Sequence, residues 1–144
     1  MNLDSLKKSL KAHEGVKASL YKDTEGHTTG GCGHNFDQPL PDKLIELILD
    51  FDIQVAIEEL DRAFPSWRTH SNARQNVLIE LMFNLGAPRL GQFIRFWYAL
   101  EQKNYSVAAQ ELLLSRWAIQ VGKRAVTLAN RFREDSLDEG HPGV

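Results

Sequence analysis

The chain of 144 residues has one cysteine, five prolines and no strong excess of either charge. A single thiol, Cys32, excludes an internal disulfide and a cysteine-cluster zinc site, and it suits a reducing compartment. No apolar run approaches the roughly 18 residues of a membrane-spanning helix, so membrane insertion is not expected. The start, MNLDSLKKSLKAHEG, has lysines but no unbroken apolar stretch, and does not read as a standard signal peptide. Net charge is −2, which gives no overall attraction to nucleic acid. There is no repeat at a fixed period and no low-complexity segment.

What is present is ordinary for a folded protein: 42% hydrophobic and 25% charged residues. A chain of this length buries about two thirds of its unfolded surface and holds a core without staples. Charge is unevenly spread. Residues 37–62 carry eight acids and two bases, net −6, whereas 116–133 carry five bases and no acid, net +5. The basic stretch is read first as a solvated helix face and second as an aid in holding an anionic polymer.

The pattern predicts α+β. Residues 3–14 read as a helix, with Asp4 as N-cap, a Leu3-Leu6-Leu10 stripe, and Gly15 just past the end. Val16–Lys22 is strand-like, Asp23-Thr24-Glu25-Gly26 has turn chemistry, and His27–His34 is the return strand, diluted by glycine. A loop through Pro39 and Pro41 leads to a long helical pattern from Asp42 to Pro65, with a break or bend expected near 50–52. Further helices are expected at about 71–86, 90–102, 106–113 and 123–134. The result is a small β-hairpin and a helical body, with a cleft where they meet.

Two carboxylates stand out by their surroundings. Glu14 leans toward the apolar side of its helix and sits at the negative end of the dipole. Both effects favour a retained proton, as a general acid requires. Asp23 opens a turn whose amides can bond it, which favours its charged form. Two such acids are the minimum apparatus for cleaving a glycosidic bond. Taken alone, the pair is a weak motif, and Glu25 reads as a surface residue. The glycines after Asp23 suggest a close approach by a ligand, a packed helix or a bulge. Thr29, among them, reads as structural, with a hydroxyl that could orient water.

The stretch Glu14-Gly15 … Leu20-Tyr21-Lys22-Asp23-Thr24-Glu25-Gly26 … Thr29-Gly30-Gly31-Cys32-Gly33-His34-Asn35 resembles the active-site segment of phage-type lysozymes. These are the T-even and lambdoid endolysins of glycoside hydrolase family 24. Phe83-Asn84-Leu85-Gly86, Phe93, Ser115-Arg116-Trp117-Ala118 and Gln120-Val121-Gly122-Lys123-Arg124-Ala125 extend the resemblance over roughly 3–135. It implies a lysozyme-like α+β fold in one domain, 1–144. A hairpin lobe would span about 15–40 and a helical lobe about 42–135, with helix 3–14 packed on the latter.

The resemblance also implies an inverting muramidase that lyses bacteria. It would cleave the β-1,4 bond between N-acetylmuramic acid and N-acetylglucosamine in peptidoglycan. Glu14 matches the general acid, Asp23 the second carboxylate, and Thr29 the residue beside the face that water attacks. Asn35, Phe83, Phe96 and Glu111 match substrate-binding positions, the last two with changed residue types. No metal or cofactor is implied. The expected partner is bacterial peptidoglycan, met by a monomer made in the host cytoplasm and acting in the periplasm. A holin or a virion component would give access to the wall.

Three features depart from the family pattern. Gly30 replaces an aliphatic residue, at an expected loss of about 1 kcal/mol and of support for Thr29. Gly30→Ile is therefore expected to leave function intact or to stabilise. Cys32 reads as a small buried hydrophobe. The acidic net charge leaves wall attraction to residues 116–133. The alternative function is a non-catalytic wall-binding or virion structural module, favoured by Gly30; nucleic-acid binding ranks third. His34 reads as a hydrogen-bonded structural residue. Trp97 and Trp117 read as core, and Trp67 as a cover over a helix end.

Overall fold

A computed structural model describes residues 1–137. The chain divides into two compact units, Met1–Ile48 and a second that begins at Leu49.

The first unit opens with α1 (Leu3–Glu14), and its cap is Asn2 rather than Asp4. Asn2 Oδ1 accepts from the Ser5 amide at 3.0 Å. Asp4 lies inside the first turn, where a carboxylate suits the positive end of the helix. Gly15 closes the helix at φ +78°, its N–H on Lys11 O. The leucine stripe is not a buried seam: Leu3, Leu6 and Leu10 are 50, 44 and 45% exposed. Three leucines among charged neighbours make too narrow a stripe to enclose.

A three-stranded antiparallel sheet follows, in the order β1 (Lys17–Lys22), β2 (Thr28–Gly31), β3 (His34–Asn35). The single return strand expected over 27–34 is thus two strands and a tight turn. Gly31 at φ +60° and Gly33 at φ +80° reverse the chain around Cys32, so these glycines serve a second turn. Lys17 pairs with Gly31, yet Tyr21 pairs with Thr29, so β1 bulges between them.

α2 (Asp42–Ala63) is one uninterrupted helix of 22 residues and carries the boundary between the units. The expected break is absent because Asp50 and Asp52 each cost only a fraction of a kcal/mol in a helix, and neither Gly nor Pro accompanies them. A 3₁₀ turn (Pro65–Thr69) leads into α3 (Asn72–Leu85), α4 (Ala87–Leu90), α5 (Ile94–Glu101), α6 (Tyr105–Leu113), α7 (Arg116–Val121) and α8 (Lys123–Glu134). The helix expected at 90–102 therefore begins only at Ile94, and α7 stands where none was foreseen. Ser71, Asn104 and Ser115 cap α3, α6 and α7 with their side-chain oxygens.

The core of this unit gathers Leu60, Leu78, Leu81, Phe96, Leu112 and Phe132, each at most 1% exposed. The tryptophans serve it. Trp67 is buried with its N–H on Asp61 Oδ1 (2.8 Å), and Trp117 with its N–H on Asn84 Oδ1 (2.7 Å). Trp97 stacks on Phe64 at 4.1 Å and donates to Leu90 O. No helix among the described residues is long and apolar enough to cross a membrane.

Candidate active site

The turn between β1 and β2 is built around Asp23. Its Oδ1 accepts both the His27 amide (2.8 Å) and the Glu25 amide (2.9 Å). Its own N–H donates to His27 O at 2.9 Å, and Gly26, at φ +82°, completes the reversal. These bonds hold the Asp23 carboxyl below its ordinary range. The His27 amide contributes most, against some desolvation, followed by the Glu25 amide, the His27 charge and the Thr29 hydroxyl. Asp23 is charged at neutral pH, as its place in the turn predicts.

Thr29 sits opposite Tyr21 on β2 and is 5% exposed, one of the few buried residues in this unit. Its hydroxyl donates to His27 O at 3.0 Å, so one main-chain carbonyl meets both Asp23 and Thr29. Asn35 pairs with Thr29 across the sheet, and its side-chain oxygen accepts the Asp37 amide at 2.8 Å. Glu14 ends α1 against the β2–β3 turn: a Cβ placed on Gly33 would stand 3.4 Å from Glu14 Oε2. Its side chain is exposed, so the desolvation foreseen for it is not supplied by α1, which buries no residue.

Gly30 is not a gap. A Cβ there would lie 2.7 Å from Leu20 Cδ2 and 3.2 Å from Phe36 Cε2. The close approach signalled by the glycines is made by these two side chains, so Gly30→Ile meets occupied space. Cys32 is exposed, not a buried hydrophobe, because it forms the tip of the second turn. The His34 ring lies in a T-shaped contact with Phe36, centroids 4.6 Å apart, and His34 pairs with Gly30 across the sheet.

The other sequence-derived residues lie in the second unit. Phe83 is 47% exposed at the end of α3. It lines a pocket of about 440 Å³ with Leu49, Ile53, Ile79, Glu80 and Arg124. Phe96 and Glu111 meet in another pocket, of about 340 Å³, beside Phe93, Arg95 and Leu114. Phe96 is 1% exposed and packs on Phe132, so it belongs first to the core. In the basic stretch, Arg124 is tied to Glu80 at 3.1 Å, while Arg116, Lys123 and Arg133 are exposed.

Sequence reasoning missed the pair His27 and Asp37, joined at 3.1 Å beside the Asp23 turn. Ten residues separate them and no periodicity links them; their contact exists only once β3 folds back. No group of three or more His, Cys, Asp or Glu among the described residues could hold a metal ion.

Comparison with known proteins places the chain in a family. The chain is 28% identical to a protein named "Probable T4-type lysozyme 2" from Dictyostelium discoideum, covering 95% of this chain and 98% of that one. It is 26% identical to "Probable T4-type lysozyme 1" of the same organism, covering 85 and 90%. The phage lysozyme profile matches residues 11–135, a span that takes in the Asp23 turn and the helices beyond it, and the chain belongs to the phage lysozyme family.

Proposed function

We propose that this chain is a muramidase that hydrolyses the β-1,4 bond between N-acetylmuramic acid and N-acetylglucosamine in peptidoglycan. The observation that carries the reading is the Asp23 turn, a carboxylate held charged by two amides, with Thr29 bonded to the same carbonyl. Glu14, on the same unit, is the general acid that protonates the leaving oxygen. Asp23 stabilises positive charge developing on the sugar, and Thr29 orients the attacking water, which gives inversion. A bound sugar would exclude water from the exposed Glu14 carboxyl and complete its surroundings.

Asn35, Phe83, Phe96 and Glu111 are the substrate-binding positions of this reading, and Phe96 and Glu111 line one pocket. The protein acts as a single lysozyme-like domain, 1–144, with a hairpin lobe at about 15–40 and a helical lobe at about 42–135. It works as a monomer in bacterial lysis, and a membrane-permeabilising partner or delivery on a virion brings it to the wall. The exposed Arg116, Lys123 and Arg133 add attraction to the anionic polymer. The non-catalytic alternative rested on Gly30 as a missing side chain, and Leu20 and Phe36 fill that space.

Digestion of purified peptidoglycan tests the proposal directly. New reducing ends on N-acetylmuramic acid, released first as the α anomer, are the expected result. Reducing N-acetylglucosamine, a β product, or intact wall at every pH would overturn bond, stereochemistry or activity in turn.

A further inference from the structure

Asp23 is held by main-chain atoms of residue 27, so whatever fixes residue 27 fixes Asp23. The contact is reciprocal: the His27 amide donates to Asp23 Oδ1 at 2.8 Å and the Asp23 amide to His27 O at 2.9 Å. Any amino acid at 27 supplies those atoms. What is particular to histidine is the ring, whose Nδ1 stands 3.1 Å from Asp37 Oδ2. A carboxylate only accepts, so Nδ1 carries a proton.

Asp37 is well placed as an anchor. Its Oδ1 accepts the Thr28 amide at 3.2 Å, so one carboxylate grips two consecutive residues. Its own amide is on Asn35 Oδ1 at 2.8 Å, and the neighbouring Phe36 amide is on Thr28 O at 2.7 Å. The other charges nearby are Glu25, whose Oε2 faces His27 Nε2 at 3.5 Å, and Lys22, which acts on Asp37 and donates to the Thr28 hydroxyl. The Asp37 carboxyl is held below its ordinary range, first by the imidazole, so the anchor stays charged at neutral pH.

We propose that His27 is a positioning residue for Asp23: its imidazole, moored to Asp37, keeps the residue-27 amide on Asp23 Oδ1 and leaves Oδ2 outside the two amide bonds. This rests on the reading of Asp23 as the second carboxylate of a muramidase. Asp37 is then part of the same device, one step further from the sugar.

Three variants test it. His27→Phe keeps the amide and the ring bulk but loses the N–H donor. Asp37→Ala removes the anchor from the other side. His27→Asn keeps a donor at the position of Nδ1 without a ring or a titrating group. The readouts are a carbon-13 NMR titration of the Asp23 carboxyl, amide exchange at residue 27, and kinetics on soluble wall fragments.

In the wild type Asp23 titrates below the ordinary aspartate range. In His27→Phe and Asp37→Ala it moves up toward that range, amide exchange at residue 27 quickens about fivefold, and kcat falls about fivefold with KM little changed. His27→Asn keeps the wild-type amide exchange and kcat, and its Asp23 titration rises less than in His27→Phe, by the lost imidazole charge alone. An Asp23 titration unmoved in His27→Phe or Asp37→Ala overturns the proposal, and so does His27→Asn behaving like His27→Phe. Should one of the two disrupting variants not fold, the other makes the same comparison. A wild-type protein that cleaves no wall sinks the muramidase reading, and the Asp23 titration still decides this one.

Discussion

The two units are held together by different physics. Every buried hydrophobic residue other than glycine lies at or beyond Ala56, in the second unit. There, aliphatic and aromatic side chains from α2 to α8 interlock around Phe96 and Phe132. The first unit buries only Thr29 and Gly30, and is shaped instead by amide bonds to Asp23, Asn35 and Asp37 and by glycines at positive φ. Packing is tolerant of chemistry and intolerant of volume. Turn bonding is the reverse, since it fixes an oxygen's position while enclosing little apolar surface. The contrast separates stability, which resides mainly in the second unit, from the carboxylate geometry, which resides in the first.

That separation can be broken experimentally. Glu14→Gln should lower wall-clearing activity by about 10²–10⁴-fold while leaving the thermal midpoint unchanged, because the exposed carboxyl supports no packing. A fall in the midpoint matching the loss of activity would merge the two roles. Phe132→Ala should do the opposite, removing about 3–5 kcal/mol of stability by denaturant titration. The residual folded protein should keep its Asp23 titration.

Gly30→Ile should cost about 1–3 kcal/mol, since the added atoms meet Leu20 and Phe36. Gly30→Ala should cost less, because the Leu20 methyl is the end of an exposed, movable side chain. A stabilised Gly30→Ile protein would show that the hairpin yields more easily than its contacts suggest.

The smallest effect is a pH slope in the second unit. His70 is 6% exposed, bonded to Tyr105 at 2.8 Å, and its pKa is lowered, first by burial and then by Lys103 and Arg74. A depressed histidine contributes stability above its ordinary value of 6.5 that is lost as pH falls through the folded value. The thermal midpoint should therefore drop modestly on acidification below 6.5. His70→Phe should flatten that drop, and an unchanged slope would assign it to other groups.

Local chemistry was legible in the sequence and contacts between distant residues were not. Asp-Thr-Glu-Gly announces a turn, and an aspartate opening a turn announces its own charged state, because donor and acceptor lie within four residues. Helix ends at Gly15, Ser71 and Gly86 follow from caps in the same way. Gly30 looked like a loss because Leu20 and Phe36, which fill its space, are ten and six residues away and meet it only through a bulged strand and a second turn. The His27–Asp37 bond was hidden for the same reason. The surroundings of Glu14 were misjudged because they depended on a leucine stripe being covered, and spacing alone does not say whether a stripe finds a cover.

The turn at Gly31-Cys32-Gly33 offers a route to watching the hairpin at work. Its cysteine is the protein's one thiol and is exposed. A maleimide dye or a nitroxide would therefore attach at a single known point, two residues from Gly30 and beside the Gly33 position that faces Glu14. The unmodified protein thus supplies its own attachment site for a spectroscopic reporter of sugar arrival, with no engineered cysteine and no competing label.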